Sequence, residues 1–315
     1  MPERHVVFGC NGPVGRGLCE SLVDAGHDVV GVCRSGEAEL PKAVRVVAAD
    51  AADRERAAEV SRGASVIHAA VGIPYPQWQA QFMPILEGLL HAARVHEARL
   101  VWCDNLYCYG PRNEALREDM APALFGKKPA LRARMVDRMM EDHQRGRARV
   151  AIVRASDFIG PRARNAMLGD FLFARALEGK SAQFLGNPDL PHDFTYVPDL
   201  VRTELAVAAD EEAFGEAWHV PNPPTRTARS IIEDVYARIG APAKVSIPPD
   251  FLVLLLGLVN PMMSEMRELK YQWTRPFVVD STRVRTRFGI EPTDWDTILD
   301  TTLDWFRRNA APKKK

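Results

Sequence analysis

The sequence lacks features that mark several whole classes of protein. Lysine plus arginine and aspartate plus glutamate number 41 each among 315 residues, so the formal net charge is zero and no broad positive field for nucleic acid is expected. The most apolar stretch, 251–263, is interrupted by Gly257, Asn260 and Pro261 and is too short to span a bilayer. It predicts a buried or pocket-lining helix, and we expect neither a nucleic-acid partner nor a membrane partner.

Cysteine is scarce, and its spacing is uninformative. All five cysteines lie within the first 108 residues, and no Cys-x-x-Cys pair or Cys/His cluster occurs. A disulfide framework or a metal site is therefore not expected. The first residues lead directly into an apolar run without a signal-peptide pattern. These absences predict a reduced compartment and a cytoplasmic protein.

What the sequence does contain is a glycine turn near its start. The apolar run Val6–Phe8 predicts a buried parallel strand, and an amphipathic run from Leu18 predicts a helix. Between them lie Gly9, Gly12 and Gly15, in the context that a dinucleotide-binding turn needs. Gly9 permits the tight turn, Gly12 lets the backbone approach a pyrophosphate, and Gly15 lets the helix pack closely on the strand. A glycine turn without a ligand is the alternative.

Later strands add candidates for contact with a cofactor. The second strand ends at Arg34 and Ser35, where NAD-specific sites carry an acidic residue. An arginine there can hold a 2′-phosphate, which favours NADP(H) over NAD(H). The third strand ends at Asp50, and the fourth ends in small residues that leave room for a flat cofactor. The predicted cofactor-binding residues are Gly9, Asn11, Gly12, Pro13, Val14, Gly15, Arg34, Ser35, Asp50, Ala69, Ala70 and Val71.

The alternation of strands and helices predicts the fold. After the first strand and helix, strands are predicted at 27–33, 44–49, 65–70, 99–103 and 150–154, and helices at 52–62, 82–97 and 129–145. Six strands alternating with helices favour an α/β fold with a doubly wound parallel sheet. After Pro161 helices, loops and proline clusters dominate. We therefore predict a nucleotide-binding domain over 1–160 and a smaller C-terminal substrate domain.

Several segments together resemble one family, the extended short-chain dehydrogenase/reductases, also called the NAD-dependent epimerase/dehydratase family. They are the glycine turn, Asp50, Tyr109-Gly110-Pro111, Val153-Arg154 with Gly160-Pro161, and His192–Asp199. The resemblance covers nearly the whole chain in order. It implies an NAD(P)-binding Rossmann-type domain, to which the chain returns at about 193–212. It also implies a substrate-binding domain formed by 161–192 and 213–315. It also implies a homodimer, for which the wide apolar stripe of helix 82–97 offers a surface.

The resemblance implies a Ser or Thr, a Tyr and a Lys as the catalytic set, and this sequence departs from it. Four residues before Tyr109 stands Asn105, and no Tyr-x-x-x-Lys pair opens helix 129–145, where Arg132 or Arg134 takes the lysine position. Asn105 can still orient a substrate oxygen. Tyr107 and Tyr109 can supply a phenol on the same side, or both can merely brace the loop. The predicted catalytic residues are Asn105, Tyr107, Tyr109 and Arg134.

Four further residues are candidates for the substrate pocket. Tyr75 and Trp78 lie in a proline-rich loop, where they either roof a ligand or pin the loop. His192 replaces the usual arginine of the returning segment, which disfavours a nucleotide sugar, and Phe194 follows it. The sequence thus predicts an NAD(P)-dependent oxidoreductase or epimerase-like enzyme acting on a small carbonyl or alcohol compound. The alternative, which the missing tyrosine supports, is a catalytically silent NAD(P)-binding sensor or partner-binding protein.

Overall fold

The computed structural model describes residues 2–123, 125–249 and 260–310. The prediction of an apolar helix over 251–263 falls mainly on residues outside this described part. The chain is centred on one parallel sheet whose strands are β1 (Arg4–Phe8), β2 (Asp28–Cys33), β3 (Arg45–Ala48), β4 (Val66–Ala69), β5 (Arg99–Asn105), β6 (Arg149–Ala155) and a seventh, Ala217–His219. Across the sheet the order is the seventh strand, β6, β5, β4, β1, β2 and β3.

Most of these strands are buried on both faces. The inner strands β1, β4 and β6 consist almost entirely of buried residues, which is why they read as continuous apolar runs. The predicted Rossmann-type α/β fold with a doubly wound parallel sheet is confirmed. The seventh strand was not predicted, because three residues carry too little periodicity. It pairs Trp218 with Val153 and so extends the sheet-forming part of the chain past the predicted returning segment, 193–212.

Helices cover both faces of the sheet and build the C-terminal part. The first four are α1 (Pro13–Asp24), α2 (Arg54–Val60), α3 (Trp78–His96) and α4 (Lys127–Gln144). Later helices are Gly169–Ala174, a π-helix, Arg175–Leu177, Val197–Ala209, Ala228–Arg238, Pro261–Leu269, Thr282–Phe288 and Trp295–Arg308. Single 3-10 turns occur at Tyr75–Gln77, Tyr107–Tyr109, Glu211–Ala213 and Lys270–Trp273.

Short strand pairs connect the C-terminal segments with one another. Asp157–Ile159 pairs with Phe194–Tyr196, Pro191–His192 with Arg226–Thr227, and Ala182–Gln183 with Val245–Ser246. A separate apolar core holds this part together, with the rings of Phe173 and Phe306 stacked at 5.2 Å. The division into a cofactor domain and a substrate domain stays a prediction.

Helix α3 buries its apolar stripe inside the chain. Phe82, Leu86 and Leu89 are at most 1% exposed, packed against the sheet and the neighbouring helices. Among the large apolar side chains of α3, Val95 is the exposed one, with 53% of its surface open. Intrachain packing therefore accounts for most of the stripe, and the homodimer stays a prediction without this support.

Two other absences concern the described residues. All five cysteines are free thiols in this structure. In the ranges that the structure describes, no helix is both long enough and apolar enough to cross a membrane.

Gly88 in α3 provides a test of the packing between α3 and the loop before α2. A Cβ atom at Gly88 would stand 1.9 Å from the carbonyl oxygen of Ala51, which is backbone and cannot rotate away. We expect Gly88→Ala to lower the free energy of unfolding in urea by about 1–3 kcal/mol, the range typical of overpacking.

Gly17→Ala in α1 is the matched control. It gains the same helix propensity of about 1 kcal/mol, but its Cβ atom would meet a side-chain methyl of Val201, at 2.8 Å, that can move. We expect the control to lose less stability than Gly88→Ala. Equal unfolding free energies for the two variants would contradict the close contact at Ala51.

Candidate cofactor and active site

A cleft of about 330 Å³ opens at the carboxyl ends of β1 to β4. This is the place where open parallel sheets bind ligands, because the chain leaves β1 for β2 on one side and places β4 on the other. The lining residues come from the turns after these four strands and from α3, and they include Gly9, Asn11, Gly12, Arg34, Ser35, Asp50, Ala70 and Val71. Eight of the twelve predicted cofactor residues therefore line one cleft.

The glycine turn explains why part of the cleft is free of side chains. Gly9 has a φ of +84°, and a Cβ atom there would stand 2.3 Å from the carbonyl oxygen of Ala70. At Gly15 a Cβ atom would stand 2.2 Å from the carbonyl oxygen of Gly9. At Gly12 the closest atom is the same oxygen at 3.4 Å, an ordinary contact. Gly9 and Gly15 are thus required by packing, whereas Gly12 leaves space free at the cleft.

The start of α1 faces this space with unpaired backbone groups. Gly12 is the N-cap, no side chain caps the helix, and Pro13 fills the first helical position. Val14 and Gly15, the next two residues, have backbone N–H groups without an intrahelical acceptor, as in the first turn of any helix. Such a terminus is suited to bind a phosphate. Pro13, Val14, Gly15 and Ala69 do not line the cleft themselves; Val14, Gly15 and Ala69 are buried behind it.

The end of the cleft beyond β2 is basic. Arg34 and Ser35 are exposed and line the cleft, and Arg34 forms no hydrogen bond or ion pair with another described residue. Asp50, after β3, lines the same cleft and accepts a hydrogen bond from the backbone N–H of Ala52 at 2.9 Å. The cleft therefore offers a free guanidinium at one end and a carboxylate at the neighbouring strand.

Asn105 and Tyr107 lie where β5 ends. Asn105 is half-buried, and its side-chain oxygen accepts the backbone N–H of Tyr107 at 3.0 Å. The hydroxyls of Tyr107 and Tyr75 are 2.8 Å apart. Burial raises the pKa of Tyr107 well above its usual value and that of Tyr75 to about 12, so both phenols are protonated near neutral pH. The pair can donate a hydrogen bond but is a poor base.

Tyr109 does not share this position, contrary to the prediction that three alternate residues face one pocket. Tyr107–Tyr109 form a 3-10 turn rather than an extended segment, so the alternation ends there. Tyr109 is fully buried, its hydroxyl lies 2.8 Å from Nε2 of His219, and it accepts a hydrogen bond from Arg154. Burial lowers the pKa of His219 to about 3. This position assigns Tyr109 to the core rather than to the site.

The buried cation of α4 is Arg132 and not Arg134. Arg134 lies on the exposed face of the helix, which corrects its assignment as a catalytic residue. Arg132 is 5% exposed, and its Nη1 atom lies 3.1 Å from the carboxylate of Asp104 at the end of β5. Its guanidinium lies 4.4 Å from the ring of Trp78 and 4.0 Å from that of Phe82. The residue at which α4 begins sets the phase of the helix, and this phase determines which of the two arginines faces the core.

Lys128, four residues before Arg132, is the other buried cation of α4. Its ammonium group is 1% exposed and bonds the carboxylates of Glu265 and Glu268, the latter at 3.0 Å. The Glu268 carboxylate also accepts the backbone N–H groups of Lys127 and Lys128. From the sequence, Lys127, Lys128, Arg132 and Arg134 are all candidates for a cation beside the cofactor ribose, and Lys128 and Arg132 are the two that are buried. The pair Lys128 and Arg132 stands where the resemblance led us to expect Tyr and Lys.

Three of the four predicted pocket residues have structural roles. Trp78 is 5% exposed and donates its indole N–H to the carbonyl of Ile73 at 2.9 Å, so it pins the loop. His192 is 3% exposed, with Nε2 3.0 Å from a carboxylate oxygen of Asp157. Phe194 is fully buried in the C-terminal core and lines no open surface. Tyr75 bonds the hydroxyl of the candidate catalytic Tyr107, and the ring of Trp78 stacks on that of Tyr107 at 5.8 Å.

Comparisons with known proteins agree with this geometry. The sequence model described as the NAD dependent epimerase/dehydratase family matches residues 5–220. A search of curated proteins finds no match. Among solved structures, MoeE5 in complex with UDP-glucose and NAD is 18% identical, with a TM-score of 0.79 over 98% of this chain and 100% of that one.

Two further solved structures share the fold. UDP-glucuronic acid 4-epimerase from Bacillus cereus, in complex with UDP-glucuronic acid and NAD, is 18% identical and has a TM-score of 0.78 over 97% of this chain and 99% of that one. dTDP-glucose 4,6-dehydratase from Bacillus anthracis, in complex with NAD, is 14% identical and has a TM-score of 0.80 over 98% and 97%. At these identities the likeness concerns the fold, and the family model, which spans more than half of the sequence, decides membership: the chain belongs to the NAD dependent epimerase/dehydratase family.

Proposed function

We propose that this protein binds a nicotinamide dinucleotide in the cleft above β1 to β4 and transfers hydride between it and a small carbonyl or alcohol compound. The observation that carries the proposal is the glycine turn. Gly9 and Gly15 are fixed by backbone packing, while Gly12 keeps open space beside an uncapped helix start. The cofactor supplies or accepts the hydride, and the chain binds it and orients the substrate oxygen.

The preferred cofactor in this proposal is NADP(H). Arg34 and Ser35 stand at the end of β2, where an acidic residue would otherwise receive the ribose hydroxyls. Arg34 has no partner among the described residues, so its guanidinium is available for a 2′-phosphate. The similar structures cited above contain NAD, so the proposed choice separates this chain from them.

The proposed chemistry rests on Asn105 and Tyr107. Hydride addition to a carbonyl builds negative charge on oxygen, which needs a hydrogen-bond donor. The side-chain oxygen of Asn105 is engaged by the backbone of Tyr107, which leaves its NH₂ group for a substrate. Tyr107 stays a neutral phenol because of its burial. This set favours carbonyl reduction over alcohol oxidation, since a protonated phenol donates to an oxyanion but takes no proton from an alcohol.

One observation favours the alternative of a silent cofactor-binding protein. No tyrosine opens α4, where the resemblance implies one, and Lys128 near its start is held by two glutamates. An ammonium group has no lone pair, so Lys128 in this ion pair cannot take a proton from a substrate. The two functions differ in one measurable respect, because only the first predicts cofactor turnover.

The glycine turn gives the first functional prediction. In Gly12→Val the added methyl groups would enter the cleft where phosphates approach, so NADP(H) affinity should fall by roughly tenfold or more, about 1.4 kcal/mol. Calorimetry measures the affinity, and circular dichroism checks the fold. Gly12→Ala is the graded control and should lose less affinity. A folded Gly12→Val variant with unchanged affinity would contradict the phosphate site.

The second functional prediction concerns the choice between NADP(H) and NAD(H). Arg34→Ala should weaken NADP(H) binding by about 1.5–3 kcal/mol, the scale of a hydrogen bond to a charged group, and leave NAD(H) binding nearly unchanged. Lys42→Ala removes an exposed cation of the following loop that does not line the cleft, and it should affect neither cofactor. An equal loss of affinity for NADP(H) and NAD(H) in Arg34→Ala would show that the guanidinium does not bind the 2′-phosphate.

The third functional prediction concerns the proposed catalytic residues. Carbonyl compounds, with nucleotide sugars as a separate set, are screened with NADPH oxidation as the readout. On any substrate found, Asn105→Ala and Tyr107→Phe should each lower kcat by about 100-fold or more while NADP(H) binding persists. Tyr109→Phe is the matched phenol control: it should lower thermal stability, through the lost bonds to Arg154 and His219, more than it lowers kcat.

Two outcomes would count against this chemistry. If no compound is turned over by a protein that binds NADP(H), the silent function replaces it. If Tyr107→Phe and Asn105→Ala keep full rate on a real substrate, the donors lie elsewhere in the site.

A further inference from the structure

A second cluster of chemically active side chains lies at the edge of the sheet opposite the cleft. Glu3 and His5 stand at the start of β1, and His27 directly precedes β2, which pairs with β1 in parallel. One ligand atom from each of the three side chains lies within 4.8 Å of the others. Adjacent strands of the central sheet therefore hold two imidazoles and one carboxylate together.

His5 is aimed into this cluster with an unused nitrogen. The residue is 4% exposed, and its Nε2 atom has no hydrogen-bond partner in the described parts of the chain. A carboxylate oxygen of Glu3 lies 3.9 Å from that nitrogen. A buried polar atom without a partner is costly, so a ligand at this point would remove an energetic penalty.

The other nitrogen of His5 is supported from within the core. Its Nδ1 atom lies 3.1 Å from Nε2 of His68, and Nδ1 of His68 lies 3.5 Å from the carboxylate of Glu204, both of them fully buried. When His5 donates to His68 through this contact, Nε2 of His5 is left as a lone pair. A hydrogen-bond acceptor behind the ring is one of the outer arrangements that orient metal-binding histidines.

The ring of His27 belongs to the same cluster and carries an unprotonated nitrogen. Its Nδ1 atom accepts the backbone N–H of Glu3 at 3.2 Å, and its ring packs edge-on against that of His5 with centroids 4.6 Å apart. An accepting nitrogen is unprotonated, so Nδ1 is in the form that binds a metal ion. A bound ion would exchange this long hydrogen bond for a coordinate bond.

The surrounding charges limit the kind of ion. Arg99 bonds Glu3 and also lies 3.5 Å from Glu211, so part of the Glu3 charge is already neutralised. Arg4, the other nearby cation, is paired with Asp28 at 2.6 Å. One shared carboxylate is too few oxygens for Ca²⁺ or Mg²⁺, whereas two imidazoles and a carboxylate suit Zn²⁺ and related ions.

We propose that Glu3, His5 and His27 form a binding site for a divalent transition-metal ion of the Zn²⁺ class, which joins the start of β1 to the start of β2. The site lies away from the cofactor cleft and is independent of the proposed function. The spacing of the three residues along the chain matches no ligand pattern, which is why the sequence predicts no metal site.

The test uses the full-length chain without a histidine tag, treated with a chelator and then titrated with Zn²⁺ by calorimetry and with Co²⁺ by absorption. We expect one ion per chain and a higher melting temperature with Zn²⁺. His27→Gln and Glu3→Gln, both at partly exposed residues, should each weaken Zn²⁺ binding by roughly 10- to 100-fold. Circular dichroism checks that both variants fold.

His91→Gln is the matched control, because His91 lies 3.7 Å from the Glu55 carboxylate and no third ligand joins them among the residues that the structure describes. It should bind Zn²⁺ as the unchanged chain does. Absence of stoichiometric binding by the unchanged chain would overturn the proposal. So would binding that His27→Gln and Glu3→Gln leave intact, or a loss of affinity in His91→Gln as large as theirs.

Discussion

The structure depends on a contact between backbones at the first turn. The carbonyl oxygen of Gly9 lies where a side chain at Gly15 would stand, and a side chain at Gly9 would meet the carbonyl of Ala70. The end of β1, the start of α1 and the end of β4 therefore meet with no side chains between them. This close approach brings the helix start to the sheet edge, and the cleft exists because Gly12 adds nothing to fill it.

At the same edge of the sheet, the residues of α4 differ from the catalytic set that the family resemblance implies. In this chain, Lys128 in the first turn of α4 is bound to Glu265 and Glu268, and Arg132 is bound to Asp104. Both cations are buried and paired, and they hold α4 against the helix Pro261–Leu269 and against β5. A donor for substrate must then come from the turn after β5, which is why Asn105 and Tyr107 carry the proposed chemistry.

The sequence predicted the sheet well and the active centre poorly, for a physical reason. The strands were found because most of them are buried on both faces of the sheet, which produces apolar runs that need no partner to be recognised. The glycine turn was found because its requirements are local. Arg134 was chosen over Arg132 because the exact start of α4 fixes the helix phase, and the Asp104 ion pair that orients Arg132 joins residues far apart in sequence.

Tyr109 and His219 show the same limit at a finer scale. The prediction of a shared face for Tyr107 and Tyr109 required an extended backbone, but the chain turns after Asn105. The partner that holds the Tyr109 hydroxyl, His219, lies on a strand of three residues more than a hundred positions later. The Tyr109 hydroxyl has two protein partners, Arg154 and His219, whereas the Tyr107 hydroxyl is paired with the hydroxyl of Tyr75. The two tyrosines are two residues apart in sequence, and their hydrogen-bond partners, rather than their residue type, separate the structural tyrosine from the candidate catalytic one.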